Sequence, residues 1–462
     1  MSRLTRRLIT KLVELLPKGA VLTDSADCWA YGYDNSRSHS VPDVVVFPAD
    51  VHQVQACVRL CNEFKVPIVP RGRGTGTTGG AVPVRGGLVL AMERMDRILV
   101  VDPANRVMVV EPGVTNQAIQ EAAASSGLFW PPDPTSAAFC SVGGNLACNA
   151  AGPHAVKYGS TRDNTLGVRA VTGAGEAISA GVYTTKGVVG YDLTRLLIGS
   201  EGTLAIITEA TLKLTPLPEA RRVLQAIYTD VETAAAAVAR IMGQPATPCA
   251  LEMMDGQAIE MIRSYSNAHL PEGAGGLLMI EVDGSAAGLD EAVARVTRTA
   301  QGEGLLELHV PITKAETEAL WATRKALSPA LRHVAPKKIN EDVVVPVSRI
   351  AELIAGLRRL GGEHGITIVN FGHAGNGNIH VNLLIDPSDP VQVAAAHHCL
   401  DQVFDLVLRL GGTLSGEHGV GMQKRDFVNR EIDPPTLALM RQIKTIFDPR
   451  GILNPDKVFP IK

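Results

Sequence analysis

Apolar residues at Leu4, Leu8, Leu12 and Leu15, with basic residues between them, carry helical spacing and predict a helix within Met1–Pro17. A β-branched run at Val44–Phe47 stops at Pro48, and Val51–Phe64 returns to helical spacing. Val66–Val69 is a second apolar run, Gly87–Met92, Ile98–Val101 and Arg106–Val110 look like successive strands, and Thr115–Gly127 reads as a helix. The order strand, helix, strand, strand, strand, helix is mixed, which predicts α+β rather than a regular α/β winding. Pro131–Gly152 is rich in Gly, Pro and Ser and poor in charge, too long for a mere connector, and is expected to be a functional loop. After Thr215-Pro216-Leu217-Pro218 strand-like and Ala-rich helical segments alternate, with few Gly clusters up to Lys338, so a domain boundary is expected near Pro216. Strands return over Ile366–Asp386, and the tail Ile452–Pro460 is extended.

The bulk numbers add limits. The chain has 462 residues, 45% hydrophobic and 20% charged, enough to bury a large core without disulfides or structural metal. A formal net charge of −3 with scattered Lys and Arg argues against nucleic acid as a partner. The seven Cys include no CxxC pair. Cys57 and Cys61 read as core positions, the set as reduced cysteines of an intracellular protein, and no cluster suits an iron–sulfur centre. No segment approaches the ~18 uninterrupted apolar residues of a membrane helix. Lys11 and Glu14 interrupt what would be a signal peptide, so the first helix is expected to pack on the protein, although its basic amphipathic character also suits a membrane surface. The expected location is cytoplasmic, and a peripheral place at the inner membrane through a partner is left open.

Three glycine-rich elements change the picture. Gly74, Gly76 and Gly79 match GxGxxG, yet Pro83 and Gly86-Gly87 deny the helix that a Rossmann dinucleotide site needs there. A loop of small residues can still hold a pyrophosphate through exposed backbone N–H groups, with Arg71 and Arg73 supplying charge. Ser141-Val142-Gly143-Gly144-Asn145 is the second element and Gly199-Ser200-Glu201-Gly202-Thr203, entering Leu204–Ile207, the third. Three such elements suggest one extended cofactor touched at several places.

Chemistry of a different kind follows in the C-terminal half. Ile366–His373 and Asn378–Ile385 flank Ala374-Gly375-Asn376-Gly377, a strong hairpin signal. Seven residues apart on one strand, His373 and His380 would face opposite ways, whereas across a reversal they can converge, and two neutral imidazoles suit a divalent transition metal. Glu417 and His418, set between Gly416 and Gly419, offer a sterically open carboxylate and imidazole. His364, His397 and His398 lack such surroundings and read as ordinary helix or loop residues.

Pro70–Gly80, Pro131–Asn145, Lys157–Asn164 and Gly190–Leu212 resemble the successive signatures of the FAD-binding domain of the vanillyl-alcohol oxidase / p-cresol methylhydroxylase family. Gly372–His380, similar to an HxGDGNxH motif, and Gly416–Gly419, similar to a GEHG motif, point to the branch of D-lactate dehydrogenase, D-2-hydroxyglutarate dehydrogenase and the glycolate oxidase catalytic subunit. The resemblance implies an α+β fold, with a two-part FAD-binding domain over 1–217, a substrate (cap) domain on an antiparallel sheet over 218–440, and a segment 441–462 returning to the first domain. It implies that Pro70, Arg71, Gly72, Arg73, Gly74, Thr75, Gly76, Thr77 and Gly80 cradle the FAD pyrophosphate. Pro132, Ser141, Gly144, Asn145 and Gly152 would lie along the flavin and ribityl chain, and Gly202 and Ile207 at the adenine half, with Asn454 a further FAD contact. With no His or Cys in the glycine loop, FAD is expected to be non-covalent. His373, His380 and Glu417 would hold a divalent metal, Zn or Mn, with His418 as the base. Arg324 would bind the substrate carboxylate, and Ser328 lies one helical turn on. The chain departs from the pattern at Arg73, Ala151, Ala205 and Asn376, the last replacing an Asp. Asn340 stands where the 2-hydroxyglutarate enzymes use Lys, with Lys337 and Lys338 slightly upstream.

The implied activity is FAD-dependent oxidation of a small D-2-hydroxy acid, D-lactate first, with glycolate and D-2-hydroxyglutarate as alternatives. Its electrons would leave to an iron–sulfur subunit, an electron-transfer flavoprotein, a quinone or a cytochrome, and a homodimer is left open. Three rivals are an aryl-alcohol oxidase without metal, a non-catalytic electron-transfer flavoprotein subunit and an NAD-dependent Rossmann enzyme.

Overall fold

The computed structural model describes residues 3–265, 270–313, 315–321, 327, 330–331 and 335–461. The chain divides into two compact units, one of Met1–Gly152, Gly159–Leu217 and Glu417–Lys462, the other of Pro153–Tyr158 and Pro218–Gly416.

The first unit carries two larger sheets and a two-stranded pair of Leu128–Phe129 with Thr215–Pro216. In the four-stranded one, Val44–Val46 and Ile68–Arg71 both run parallel to Leu88–Ala91, and Val21–Leu22 closes an edge antiparallel. Its core is covered by the helices Arg3–Leu15 and Val51–Phe64. Asp50 starts the second helix by accepting the Gln53 amide at 2.9 Å, a cap that contributes about 1 kcal/mol. Val54, Cys57, Val58 and Cys61 form its buried stripe against Leu8, Leu12 and Leu16 of the first. The stripe of the first helix thus ends on Leu16, and Leu15 is exposed. The second sheet is antiparallel, in the order Ile98–Asp102, Val107–Val110, Ala205–Lys213, Thr165–Thr172, Ala177–Gly181.

The second unit is built on seven antiparallel strands in the order Leu305–His309, Ala220–Tyr228, Gly276–Gly284, Ala250–Asp255, Thr367–His373, Asn378–Ile385, Lys337–Val344. The mixed elements and antiparallel sheet are those expected of an α+β chain. One face has apolar residues at one end, Met254, Met279, Val369 and Phe371 among them. By strand alternation the other end of that face carries Glu252, Glu281, Asp283, His373 and His380. Among the described residues no helix is long and apolar enough to cross a membrane.

Three expectations are corrected. Pro131–Gly152 is not all loop: Val142–Cys148 is a helix, started by Ser141, whose hydroxyl accepts the Gly144 amide at 3.3 Å. Its Gly143-Gly144 pair, poor in helix propensity, disguises it. The chain re-enters the first unit at Glu417, not at 441, because Glu201 of that unit already accepts the Val420 and Gly421 amides. Pro153–Tyr158 groups with the second unit, where Tyr158 donates to Asp283 at 2.7 Å and Lys157 pairs with the same carboxylate.

Candidate functional site

The first unit brings the three glycine-rich elements together. Ile68–Arg71 ends in the loop Gly72–Gly80, and no helix begins in it. A Cβ on Gly72 would stand 2.4 Å from Ser141 Oγ, so this loop packs directly on the second element. Gly74 adopts a left-handed φ of 67°, and a side chain there would meet the Arg71 guanidinium. That guanidinium is buried and donates to the Tyr33 carbonyl at 2.6 Å. Arg71 therefore supports the loop from beneath, whereas Arg73 is partly exposed, 3.7 Å from Glu93. Asn454 joins the third element: its Nδ2 donates to the Gly80 carbonyl at 2.9 Å and to the Glu201 carbonyl at 2.7 Å.

Other expected cofactor residues extend from this junction. Asn116 donates to the Pro132 carbonyl at 2.9 Å and to Asn145 Oδ1 at 3.3 Å. The Gly152 amide donates to Glu417 Oε2 at 2.8 Å. Ile207, in contrast, packs against the core of the five-stranded sheet. The donor chemistry suits a pyrophosphate-bearing dinucleotide, and Thr77 Oγ1 is buried in the same loop with no hydrogen-bond partner among the described residues, as a hydroxyl awaiting a ligand oxygen would be.

The turn carrying His418 is held on the same scaffold. Thr78 Oγ1 donates to the His418 carbonyl at 3.3 Å, and the Thr78 carbonyl accepts the Met422 amide at 2.8 Å. The Val420 and Gly421 amides donate to the two carboxylate oxygens of Glu201 at 2.7 and 2.8 Å. Burial pushes the Glu201 carboxyl up to about 7, against the opposing pull of those amides and of Lys424 and Lys457. Because the folded value lies above the ordinary 4.5, the contribution of this group to stability is complete below 4.5 and lost as pH rises through 7. Glu201→Gln leaves one amide short of an acceptor, an expected cost of about 1–3 kcal/mol at low pH. Thermal melts should show the gap between wild type and this variant shrinking as pH rises through 7, and a gap that widens contradicts the assignment.

In the second unit the hairpin forms as expected. Phe371 pairs with His380 and His373 with Asn378, so the two histidines sit one step apart on one face. Their rings are 5.2 Å apart and nearly perpendicular, and their ligand nitrogens lie within 4.8 Å of each other. Both are buried, a donor pair fit for a transition metal. Asn376 is exposed at the tip of the turn. Asp342, in register with His380, accepts Ser415 Oγ at 3.1 Å and the Gly416 amide at 2.8 Å, fixing the chain immediately before Glu417. Glu252 lies 2.5 Å from His373 Nδ1. Asn340 pairs with Asn382, while Lys337 is exposed. Arg324 and Ser328 lie outside the described residues.

Sequence reasoning missed Glu201, Glu252 and Asp342. A carboxylate in the apolar strand Ala250–Asp255 was a usable signal for Glu252. Glu201 lies within the third glycine-rich element, where the sequence gives no sign that its carboxylate holds the turn of His418.

Residues 217–458 match the family of FAD linked oxidases, C-terminal domain, and residues 42–181 match the FAD binding domain. The chain is 37% identical over 430 residues to the glycolate oxidase subunit GlcD of Bacillus subtilis, covering 93% of this chain and 92% of that one. It is 34% identical over 470 residues to a D-lactate dehydrogenase of Anaerostipes hadrus, covering 99% and 98%. It is 32% identical over 461 residues to a D-2-hydroxyglutarate dehydrogenase of Stutzerimonas stutzeri, covering 98% of each. The structure of p-cresol methylhydroxylase with substrate bound aligns with a TM-score of 0.83 over 99% of this chain and 97% of that one. At 19% identity this is a likeness of fold, and the fold is the one the motifs implied.

Proposed function

The chain belongs to the family of FAD-linked oxidases, in the branch of glycolate oxidase subunit GlcD and the D-lactate and D-2-hydroxyglutarate dehydrogenases, and on that premise we propose that it oxidises D-lactate to the 2-keto acid. The observation that carries a metal-assisted 2-hydroxy-acid reaction is the buried pair His373 and His380 on one sheet face.

In this reading His373, His380 and Glu417 hold a divalent ion, Zn or Mn, and Pro70–Gly80 with Ser141, Gly144, Asn145, Gly202 and Asn454 hold FAD. The ion, when bound, supplies Lewis acidity toward the substrate hydroxyl. FAD held there would supply a two-electron acceptor for the Cα hydride. His418 takes the hydroxyl proton onto a ring nitrogen as general base. Arg324 carries over from the family motif as the partner of the substrate carboxylate, a task its forked guanidinium suits. Asn340, neutral where a second cation would serve a dicarboxylate, favours a small monocarboxylate. Glycolate shares that feature, so substrate choice between the two rests on how the α-methyl group is received. The electrons would leave this site to an iron–sulfur subunit, an electron-transfer flavoprotein, a quinone or a cytochrome.

A panel of D-lactate, L-lactate, glycolate and D-2-hydroxyglutarate with a dye acceptor tests the assignment. D-lactate is expected to give the highest kcat/KM, with the L-enantiomer inert and slow reoxidation by air. A higher kcat/KM for glycolate or D-2-hydroxyglutarate replaces the substrate while retaining the reaction class. Peroxide formed in air at the full turnover rate would instead mark a self-sufficient oxidase.

A further inference from the structure

Glu252 is buried in the strand Ala250–Asp255, beside Leu251, Met253 and Met254. An ionised carboxylate is costly in such a place unless it is partnered. Its partner is set by strand register: Glu252 stands directly across from His373 on the neighbouring strand, with Oε1 2.5 Å from Nδ1. We propose that Glu252 is a positioning residue that prepares His373 to bind the metal ion, an inference that rests on the reading of His373 as a ligand. With Nδ1–H donating to the carboxylate, the ring is fixed in one tautomer and Nε2 is left as the electron-pair donor. A carboxylate behind an imidazole also raises its basicity, strengthening its bond to a cation. Position and chemistry agree, since both side chains are buried and the carboxylate oxygen lies at hydrogen-bond distance from the ring nitrogen.

A nearby group shows what the same sheet looks like without such preparation. His154, Cys249 and Glu281 also bring potential ligand atoms within 4.8 Å of one another. There, however, the carboxylate is taken up by Arg221 at 3.3 Å, and the thiol donates to the Glu281 carbonyl at 3.3 Å. Burial pushes that thiol up to about 11, so it stays protonated at neutral pH. Arg221 already pairs with the carboxylate of that cluster, whereas Glu252 directs its charge through an imidazole.

The test measures metal affinity of the FAD-loaded protein by competition with a chromophoric chelator, using Zn²⁺ and Mn²⁺ in turn. Glu252→Ala is expected to weaken binding about 10–100-fold, the usual effect of removing the group behind a metal-bound histidine. Glu252→Gln keeps an acceptor oxygen without the charge and should fall between wild type and Ala. It also serves if the Ala variant fails to fold. Flavin absorbance should be unchanged in both. A wild type that binds the ion beside variants that bind it equally tightly overturns this inference alone. A wild type that takes up neither ion overturns the metal reading, and this inference with it.

Discussion

Replacing His418 by Ala is expected to leave FAD and metal bound while slowing flavin reduction by about 10²–10⁴-fold, the range typical of removing a general base. The substitution leaves the backbone contacts of the turn in place. Thr78 donates to the His418 carbonyl, and Glu201 accepts the Val420 and Gly421 amides. Removal of the side chain takes away the proposed proton acceptor while these contacts stand. The measurement is anaerobic single-turnover reduction, followed at the flavin absorbance band, after the flavin and metal content of each preparation has been matched. Near-normal reduction by D-lactate in the variant would exclude His418 as the base. A partial return of rate with added imidazole would strengthen the assignment, since a small base can enter the space vacated.

The second large effect is expected at His380. His380→Ala removes one of two imidazoles that face each other at 5.2 Å, and the metal content should fall from about one per chain to near zero. Lewis-acid assistance contributes several kcal/mol, so turnover should fall by about 10²-fold or more. FAD should remain, because the glycine loop that is proposed to hold it lies in the first unit and His380 in the second. Elemental analysis beside the flavin spectrum gives both quantities from one sample. Loss of that metal in the variant also distinguishes the histidine pair from the His154, Cys249 and Glu281 cluster, which does not include His380. Full turnover by a metal-free preparation would end the metal reading.

The sequence made some of this legible and hid the rest for physical reasons. The histidine hairpin could be read because its logic is local: two apolar runs, a Gly-rich reversal, and a seven-residue separation that only a fold-back turns into proximity. The glycine loop could be separated from a Rossmann site because Pro83 forbids the needed helix, and none forms. Glu252 and His373 are 121 residues apart, and only the order of strands in the sheet makes them neighbours. No periodicity records that order. Asp342 has the same origin, its partners Ser415 and Gly416 being 73 and 74 residues away. The helix Val142–Cys148 escaped because its composition is that of a turn, and the hydroxyl of Ser141 outweighs that tendency only in the folded context. The return of the chain at Glu417 was invisible for the converse reason: it occurs inside a motif read for its chemistry and not for its role in joining elements.

Thr78 ties the turn of the proposed base to the loop proposed to hold the flavin phosphates, and Glu201 with Asn454 closes the same circuit from the other side. The proposed seats of electron and proton acceptance therefore share one hydrogen-bonded network. A disturbance that opens the glycine loop is expected to loosen the turn of His418 as well, so the two proposed tasks should be lost together.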